Sequence, residues 1–403
     1  MSNEQAIKRA QEHLGKLLSQ QIERIERIKQ VRGFKDYQAQ DRIVIGLVGG
    51  DGIGPAITKV AEDVIRSLLS SEVASGKIQF KEIKGLTIEN RVAQEAAIPS
   101  DVLREIKGCD VILKGPTTTP EKGDGMPNIE SANVRMRKEL DLFAHVRPVV
   151  VPEKSINWTF FRENTEGLYA LGSSGLDVTS DFSFDFRVIS TPGAERIVRA
   201  AFEYAKRNAK TKVTVVTKAN VVKRTDGRFL DVATRVAADY PGIEMDSWYI
   251  DIMTANLIDP LRQAQFEVLV MPNLYGDILT DEAAQIQGGV GTAGAANIGY
   301  QHAMFEAIHG SAPRMVREKR DQFANPSSML KAAAMLMDHI GYTELERRLS
   351  MALEVCGQYE RRLKVTGHDN GATGLEYGRY VAETVARDDL EKLWRSHSGT
   401  ANG

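Results

Sequence analysis

The chain has 403 residues, enough for two or three compact units, and its 42% hydrophobic and 26% charged content is ordinary for a globular protein. Lys+Arg 52 against Asp+Glu 54 leaves a formal net charge of -2, which excludes a long-range field for nucleic acid or an anionic membrane. Cys109 and Cys356 fit no metal or redox spacing, no apolar run approaches a membrane span, and the acidic Glu4, Glu12, Glu23 and Glu26 break any leader pattern, so cytoplasm is the expected place.

Residues 2–33 are predicted to form a long amphipathic helix, capped by Ser2 with Gln5 three residues on and closed near Gly33. Ile7, Ala10, Leu14, Leu17, Leu18, Ile22, Ile25, Ile28 and Val31 recur at threes and fours along it, the pattern of a helix docked on a flank or on another subunit. The texture then becomes α/β. Ile43–Val48 reads as a buried strand, followed by Gly49-Gly50-Asp51-Gly52-Ile53-Gly54-Pro55 and a helix. Residues 111–113 form a second strand ahead of Gly115-Pro116-Thr117-Thr118-Thr119-Pro120, and 158–162, Lys212–Thr217 and Val268–Met271 form others between helical stretches. Alternating strands and helices predict a mainly parallel sheet, and from Pro326 onward the pattern is mostly helical. The third glycine of the first loop comes one residue too early for a dinucleotide fingerprint. The loop therefore reads as a tight turn, and the fold as parallel-rich α/β without a Rossmann unit.

Three runs carry chemistry. In Glu130-Ser131-Ala132-Asn133-Val134-Arg135-Met136-Arg137, Ser131 stands at a predicted helix start, where a hydroxyl and free N–H groups favour an anion. Asn133 and Arg137 share a helix face; Arg147 before Pro148, and Arg162, are expected at strand ends. Arginines so placed suit bidentate clamping of carboxylates, although each taken singly is better explained by a surface ion pair. In the run from Asn273 to Asp281, Asp277 and Asp281 lie four apart, so a helix puts both carboxylates on one side. Such a pair suits a hard cation such as Mg²⁺ or Mn²⁺, though elsewhere the spacing usually means a solvated face. In Glu306-Ala307-Ile308-His309-Gly310-Ser311-Ala312-Pro313, a histidine sits among small residues that let a ligand approach the backbone.

The ordered series GDGIGP, LKGPTTTP, Ser-x-Asn-x-x-x-Arg, FRENTEGLY, VTKAN, NLYGDILTDE and HGSAP followed by Asn325-Pro326 resembles the isocitrate/isopropylmalate dehydrogenase family. The resemblance runs from about Arg42 into the C-terminal region and leaves the N-terminal helix as an addition. It implies that family's fold, with 42–142 and 288–403 as the large, cofactor-side domain. Residues 143–166 and 191–287 would form a small domain for dimer and metal contacts, 167–190 a clasp-like segment, and 1–41 a helical extension.

By the same resemblance, Arg137, Arg147 and Arg162 match the substrate carboxylate clamp, Asp251, Asp277 and Asp281 the metal carboxylates, and Tyr169 and Lys218 the catalytic pair. Lys218 would take the substrate's hydroxyl proton as hydride leaves for the nicotinamide, and Tyr169 would protonate the enol carbon once CO₂ is lost. Lys218 and Asp251 would reach into a neighbour's site, so a homodimer with shared active sites is expected, and a higher oligomer through the N-terminal helix is compatible with it. Thr119, His309, Gly310, Ser311, Ala312, Arg314 and Asn325 match cofactor contacts.

Polar Ser131 and Asn133 favour a third carboxylate over the isopropyl group of isopropylmalate, because an apolar substrate would leave them unpaired. The expected substrate is therefore isocitrate, with homoisocitrate, isopropylmalate and tartrate or malate as alternatives. Where NAD-linked members carry an acid after HGSAP, this chain has Arg314, which leans the cofactor to NADP, whereas Val365-Thr366-Gly367-His368-Asp369 is closer to NAD-type relatives. A non-catalytic regulatory subunit is a rival reading, but such a subunit would have lost some of Tyr169, Lys218, Asp251, Asp277 and Asp281.

Overall fold

The computed structural model describes residues 2–398 apart from Arg32, Glu121, Lys122, Asp124, Asn128, Val290 and Thr292, and describes Gly172, Ser173 and Ser398 by their backbone alone. The chain divides into two units. One comprises Met1–Phe34, Arg137–Gln287 and Ile298–Tyr300; the other comprises Lys35–Met136, Gly288–Asn297 and Gln301–Gly403. The first is called the clamp unit below and the second the loop unit.

In the clamp unit the strands run in the order Ala144–Val151, Ile156–Glu163, Val268–Met271, Lys212–Thr217, Glu244–Tyr249. The first two pair antiparallel and the rest are parallel, as helical crossovers require. Trp158, Phe160, Val216, Met253, Leu257, Phe266, Leu269, Met271 and Leu279 form a buried core on one side of these strands. The N-terminal helix spans Asn3–Gln30, with the expected capping box of Ser2 and Gln5; it stops three residues before Gly33 because Val31 is already extended. Its buried residues are Ala6, Leu17 and Ile28, whereas Ile7, Leu14, Leu18 and Ile22 face outward. His13 donates from Nε2 to the Ser174 carbonyl at 2.8 Å, and Arg9 reaches the Asp177 carbonyl. Leu176–Thr179 and Phe182–Phe184 there make a small antiparallel hairpin.

The loop unit orders its strands Ile78–Glu82, Ile43–Val48, Val111–Lys114, Ala303–Ala307, Gly294–Ile298, the last ending across the division. The first three contacts are parallel. Beyond Pro326 the helices Ser327–His339, Thr343–Glu354, Gly374–Val385 and Leu390–Ser398 follow, as the sequence predicts. Among the described residues no helix is long and apolar enough to cross a membrane. Both cysteines are free and buried, and burial pushes the Cys109 thiol up to about 11.

The glycine loop is a structural knot. Gly50 and Gly52 have φ of 71° and 60°, and a Cβ on Gly52 would lie 1.9 Å from the Ser311 carbonyl oxygen. The Asp51 N–H donates to the Pro116 carbonyl at 2.8 Å and the Ile53 N–H to that of Ser311 at 2.9 Å. With those donors spent on the chain itself, the loop is the tight turn its spacing implied, and those two N–H groups have nothing left for a phosphate.

Candidate active site

The clamp unit gathers most of the charged residues singled out by the sequence. Arg147 is not at a strand end: it lies in the middle of Ala144–Val151, opposite Phe160. Pro148 does not stop the strand, because its partner Thr159 gives its own N–H to the Glu267 carbonyl and that pair needs no ladder bond. Arg162, next to the end of Ile156–Glu163, is 3% exposed. Its Nε and Nη2 donate to Asn273 Oδ1 at 2.9 and 2.7 Å, and its Nη1 donates to Asp277. Gly276 makes this possible, since a Cβ there would fall 2.4 Å from the Arg162 side chain.

Asp277 and Asp281 sit one turn apart on the Asn273–Ile286 helix, as their spacing predicts. Asp281 accepts from Arg147 Nη1 at 2.8 Å, and Tyr169 donates its hydroxyl to Asp277 Oδ2 at 2.8 Å. Tyr169 begins a short 3₁₀ segment, with the Arg162 guanidinium 5.6 Å from its ring centre. Burial and the bond to Asp277 push the Tyr169 hydroxyl up to about 12, against the opposing pull of Arg162 and Arg137. The phenol therefore keeps its proton through neutral pH.

Arg137, Arg147 and Arg162 converge. Buried His145 is held well below its ordinary value by desolvation first, then by Arg147, Arg137 and Arg162. Arg162 is itself pushed down to about 10 by burial and then by Arg137, with Asp277 opposing. Arg147 and Arg162 are buried and Arg137 half-buried, and cations concentrated in this way favour binding of an anion with several carboxylates.

Lys218 and Asp251 form a separate pair. Lys218 follows the Lys212–Thr217 strand, and its backbone N–H donates to buried Asp226 at 2.7 Å. Its Nζ lies 2.7 Å from Asp251 Oδ2, on the Ile250–Ile258 helix, and this contact holds the Asp251 carboxyl below its ordinary range. Within one chain Lys218 meets Asp251 and not Tyr169. Among the described residues no group of three or more His, Cys, Asp or Glu side chains is placed to hold an ion, so Asp251 does not join Asp277 and Asp281 in one chain.

The loop unit carries the remaining residues. Ser131 precedes the Ala132–Glu139 helix and its carbonyl accepts from the Arg135 N–H at 3.0 Å. Asn133 Oδ1 accepts from the Thr117 hydroxyl at 3.1 Å. That helix also carries Arg137, with the division between units falling after Met136. A cavity of about 490 Å³ is lined by His309, Gly310, Ala312 and Asn325, together with Ile53, Phe323 and Val365. Ser311 is turned instead to the Thr118 hydroxyl at 2.8 Å, and Thr119 and Arg314 are not part of that lining. Arg314 is exposed and pairs with Glu318 at 2.5 Å; Arg320 pairs with the same carboxylate, and the two arginines push it down to about 2.

Several residues that organise the site carry no chemistry a motif search would seek. Asn273 aligns Arg162. Buried Arg91 holds the carbonyls of Ala97, Thr118 and Glu130, bracing the backbone immediately before Thr119 and Ser131. Lys114, fully buried, pairs with Glu306 at 3.0 Å and ties together the two strands that lead into GPTTTP and HGSAP.

Comparison with known proteins gives a consistent picture. Residues 44–360 match the family model described as isocitrate/isopropylmalate dehydrogenase. The isocitrate dehydrogenase [NADP] of Rickettsia felis is 38% identical over 310 residues, 75% of this chain; the match spans 60% of the relative's own length. The homoisocitrate dehydrogenase of Methanocaldococcus jannaschii is 35% identical over 326 residues, 77% of this chain and 89% of the relative. The crystal structure of isocitrate dehydrogenase from Methylococcus capsulatus is similar with a TM-score of 0.73 and 33% identity, covering 86% of this chain and 100% of that one.

Proposed function

Because the chain belongs to the isocitrate/isopropylmalate dehydrogenase family, we propose that it oxidatively decarboxylates isocitrate to 2-oxoglutarate and CO₂, with NADP or NAD and a divalent metal. The observation that carries this reading is the convergence of Arg137, Arg147 and Arg162 beside a protonated Tyr169. The arginines bind and orient carboxylates, and Tyr169 holds its proton ready for the carbon that loses CO₂. Lys218 takes the hydroxyl proton. A bound nicotinamide would supply the hydride acceptor.

Isocitrate is favoured by polar Ser131 and Asn133, which suit a third carboxylate; the printed activity of the Rickettsia relative agrees with it. Homoisocitrate, named for the Methanocaldococcus relative, carries the same carboxylates on a longer chain and is the second reading. The cofactor reading leans to NADP, on Arg314 and on the Rickettsia relative's name. The cavity beside Asn325 and His309 fits the flat, largely apolar body of an adenine.

A bound divalent metal would supply charge neutralisation at the substrate hydroxyl and its neighbouring carboxylate. Asp277 and Asp281 fit it: both are hard oxygen donors, 43% and 67% exposed, a turn apart on one helix. Asp251 would complete the set from a second copy, bringing Lys218 with it. A homodimer is supported by the exposed Ile252, Ile258, Leu261 and Ile278 on the helices of Asp251 and Asp277 and the loop between them.

The test is initial rates with isocitrate, homoisocitrate, isopropylmalate, tartrate and malate, each with NADP and NAD in Mg²⁺. The expected result is the highest kcat/KM for isocitrate. Equal or higher kcat/KM for any other acid would overturn the substrate reading, and no turnover with any would return the regulatory-subunit alternative.

A further inference from the structure

The N-terminal helix lies outside the 44–360 family match, yet one of its side chains enters the interior of the clamp unit. Arg24 Nη2 sits 2.6 Å from Glu166 Oε1, and the Glu166 side chain is 1% exposed. The same carboxylate accepts the Ser190 N–H at 2.9 Å and the Ser190 hydroxyl, at the start of the Thr191–Arg207 helix. Gly193 leaves the hollow it occupies, since a Cβ there would come within 2.3 Å of a carboxylate oxygen.

Glu166 is wired to the working residues through its backbone. Its carbonyl accepts from Asn273 Nδ2 at 3.1 Å, and Asn273 Oδ1 is the group that holds Arg162. Tyr169 follows three residues later. Glu163 stands behind, 2% exposed, accepting the Glu166 N–H at 2.6 Å and the Thr165 N–H at 2.9 Å. Two buried carboxylates thus face each other, and two cations answer them. Arg24 comes from the N-terminal helix; Arg196 comes from the Thr191–Arg207 helix, bonding Thr165 at 2.8 Å and Asp141 at 2.6 Å while its charge bears on Glu163 and Glu166.

We propose that Arg24 is a positioning residue for the active site: the N-terminal helix is a strap whose arginine neutralises Glu166 and thereby fixes the 163–169 segment that presents Tyr169. The inference rests on the reading of Tyr169 as the proton donor, but the order of the segment is measurable without turnover. Remove Arg24, and Arg196 alone must balance Glu163, Glu166 and Asp141. The buried pair then either binds a proton or pushes the segment out of place. Burial and Glu166 already raise the Glu163 carboxyl, so a proton is retained more readily at low pH and the displacement grows as pH rises.

The experiment compares the full chain with Arg24→Met, Arg24→Lys and the double variant Arg24→Met/Glu166→Gln, by hydrogen exchange of residues 163–174 and by kcat for isocitrate from pH 6 to pH 8.5. Arg24→Met should speed exchange in that segment and lower kcat about tenfold at high pH, with a smaller effect at pH 6. Arg24→Lys should recover most of the loss, and the double variant should recover it at every pH, because it removes the unanswered charge. Wild-type exchange and kcat in Arg24→Met across the range would overturn the proposal. So would a loss independent of pH that Glu166→Gln fails to relieve. If the wild type turns over no isocitrate, exchange alone decides on Arg24, and the failure belongs to the functional reading.

Discussion

Replacing Arg162 by lysine keeps the charge and removes the fork, which separates what the guanidinium does for the fold from what it does for a ligand. In the free protein Arg162 gives two bonds to Asn273 Oδ1 and one to Asp277. A lysine ammonium at that depth replaces at most one of them. Buried Asn273 Oδ1 then loses at least one of its two donors, a cost of roughly 1–3 kcal/mol that appears in stability. The loss in catalysis is separate: a carboxylate held by two parallel bonds would keep one, and a bond to a charged group is worth about 1.5–3 kcal/mol. At about 1.4 kcal/mol per factor of ten, kcat/KM for isocitrate should fall roughly 10- to 150-fold. Initial rates with saturating Mg²⁺ and NADP, alongside thermal unfolding, measure both terms. A variant with kcat/KM within threefold of wild type would refute the clamp role, whatever its melting temperature. Full activity with lowered stability would mean that Arg162 serves only to anchor the Asn273–Ile286 helix.

Tyr169→Phe removes a hydroxyl that donates to Asp277 and should lower kcat by about 10²–10⁴ with little change in KM; a drop confined to KM would exclude proton donation. Mixing that variant with Lys218→Met after dissociation and reassociation should restore about a quarter of wild-type activity, because half the dimers are hybrids with one intact site each; no recovery in verified hybrids would place both residues in one chain's site. Glu318→Gln frees Arg314 and Arg320 from their shared carboxylate, so the kcat/KM ratio of NADP to NAD should rise about threefold or more; an unchanged ratio would remove Arg314 from phosphate recognition. Glu163 is raised by burial first and by Glu166 second, so its neutral form is favoured in the fold. Its contribution to stability is full below its ordinary value near 4.5 and is lost as pH climbs through the raised one. Glu163→Gln stays neutral, and its melting temperature should decline less between about pH 5 and pH 8 than that of wild type; parallel curves would contradict the raised value.

Much of the site was legible because its chemistry is local in sequence. Asp277 and Asp281 lie on one helix face, so a spacing of four sufficed, and the capping box of Ser2 and Gln5 was readable for the same reason. Sequence puts Arg147 at a strand end because a proline follows it; the ladder phase that excuses a proline depends on where Thr159 sends its N–H, and that is the neighbouring strand's property. The link from Arg24 to Glu166 spans 142 residues, and nothing in the helical periodicity distinguishes Arg24 from the other basic residues of its helix. Likewise no spacing shows that Asn273 reaches Arg162 or that Arg91 braces three carbonyls, because those are three-dimensional coincidences of neutral or unremarkable side chains.

The knot at Gly52 has a consequence for how the chain is made. Its two sides are donated by Gly115-Pro116 and by Ser311, and the stretch Arg137–Gln287 intervenes between them as a separate unit. At a synthesis rate of roughly 5–20 residues per second, the strands Ile43–Val48 and Val111–Lys114 wait on the order of ten seconds for Ala303–Ala307 to arrive. During that interval the first half of the loop unit is an incomplete sheet with an open edge, the state most prone to stray pairing. The clamp unit, built mainly from the one continuous stretch Arg137–Gln287, is synthesised before Ala303–Ala307 and so is free to fold ahead of the loop unit.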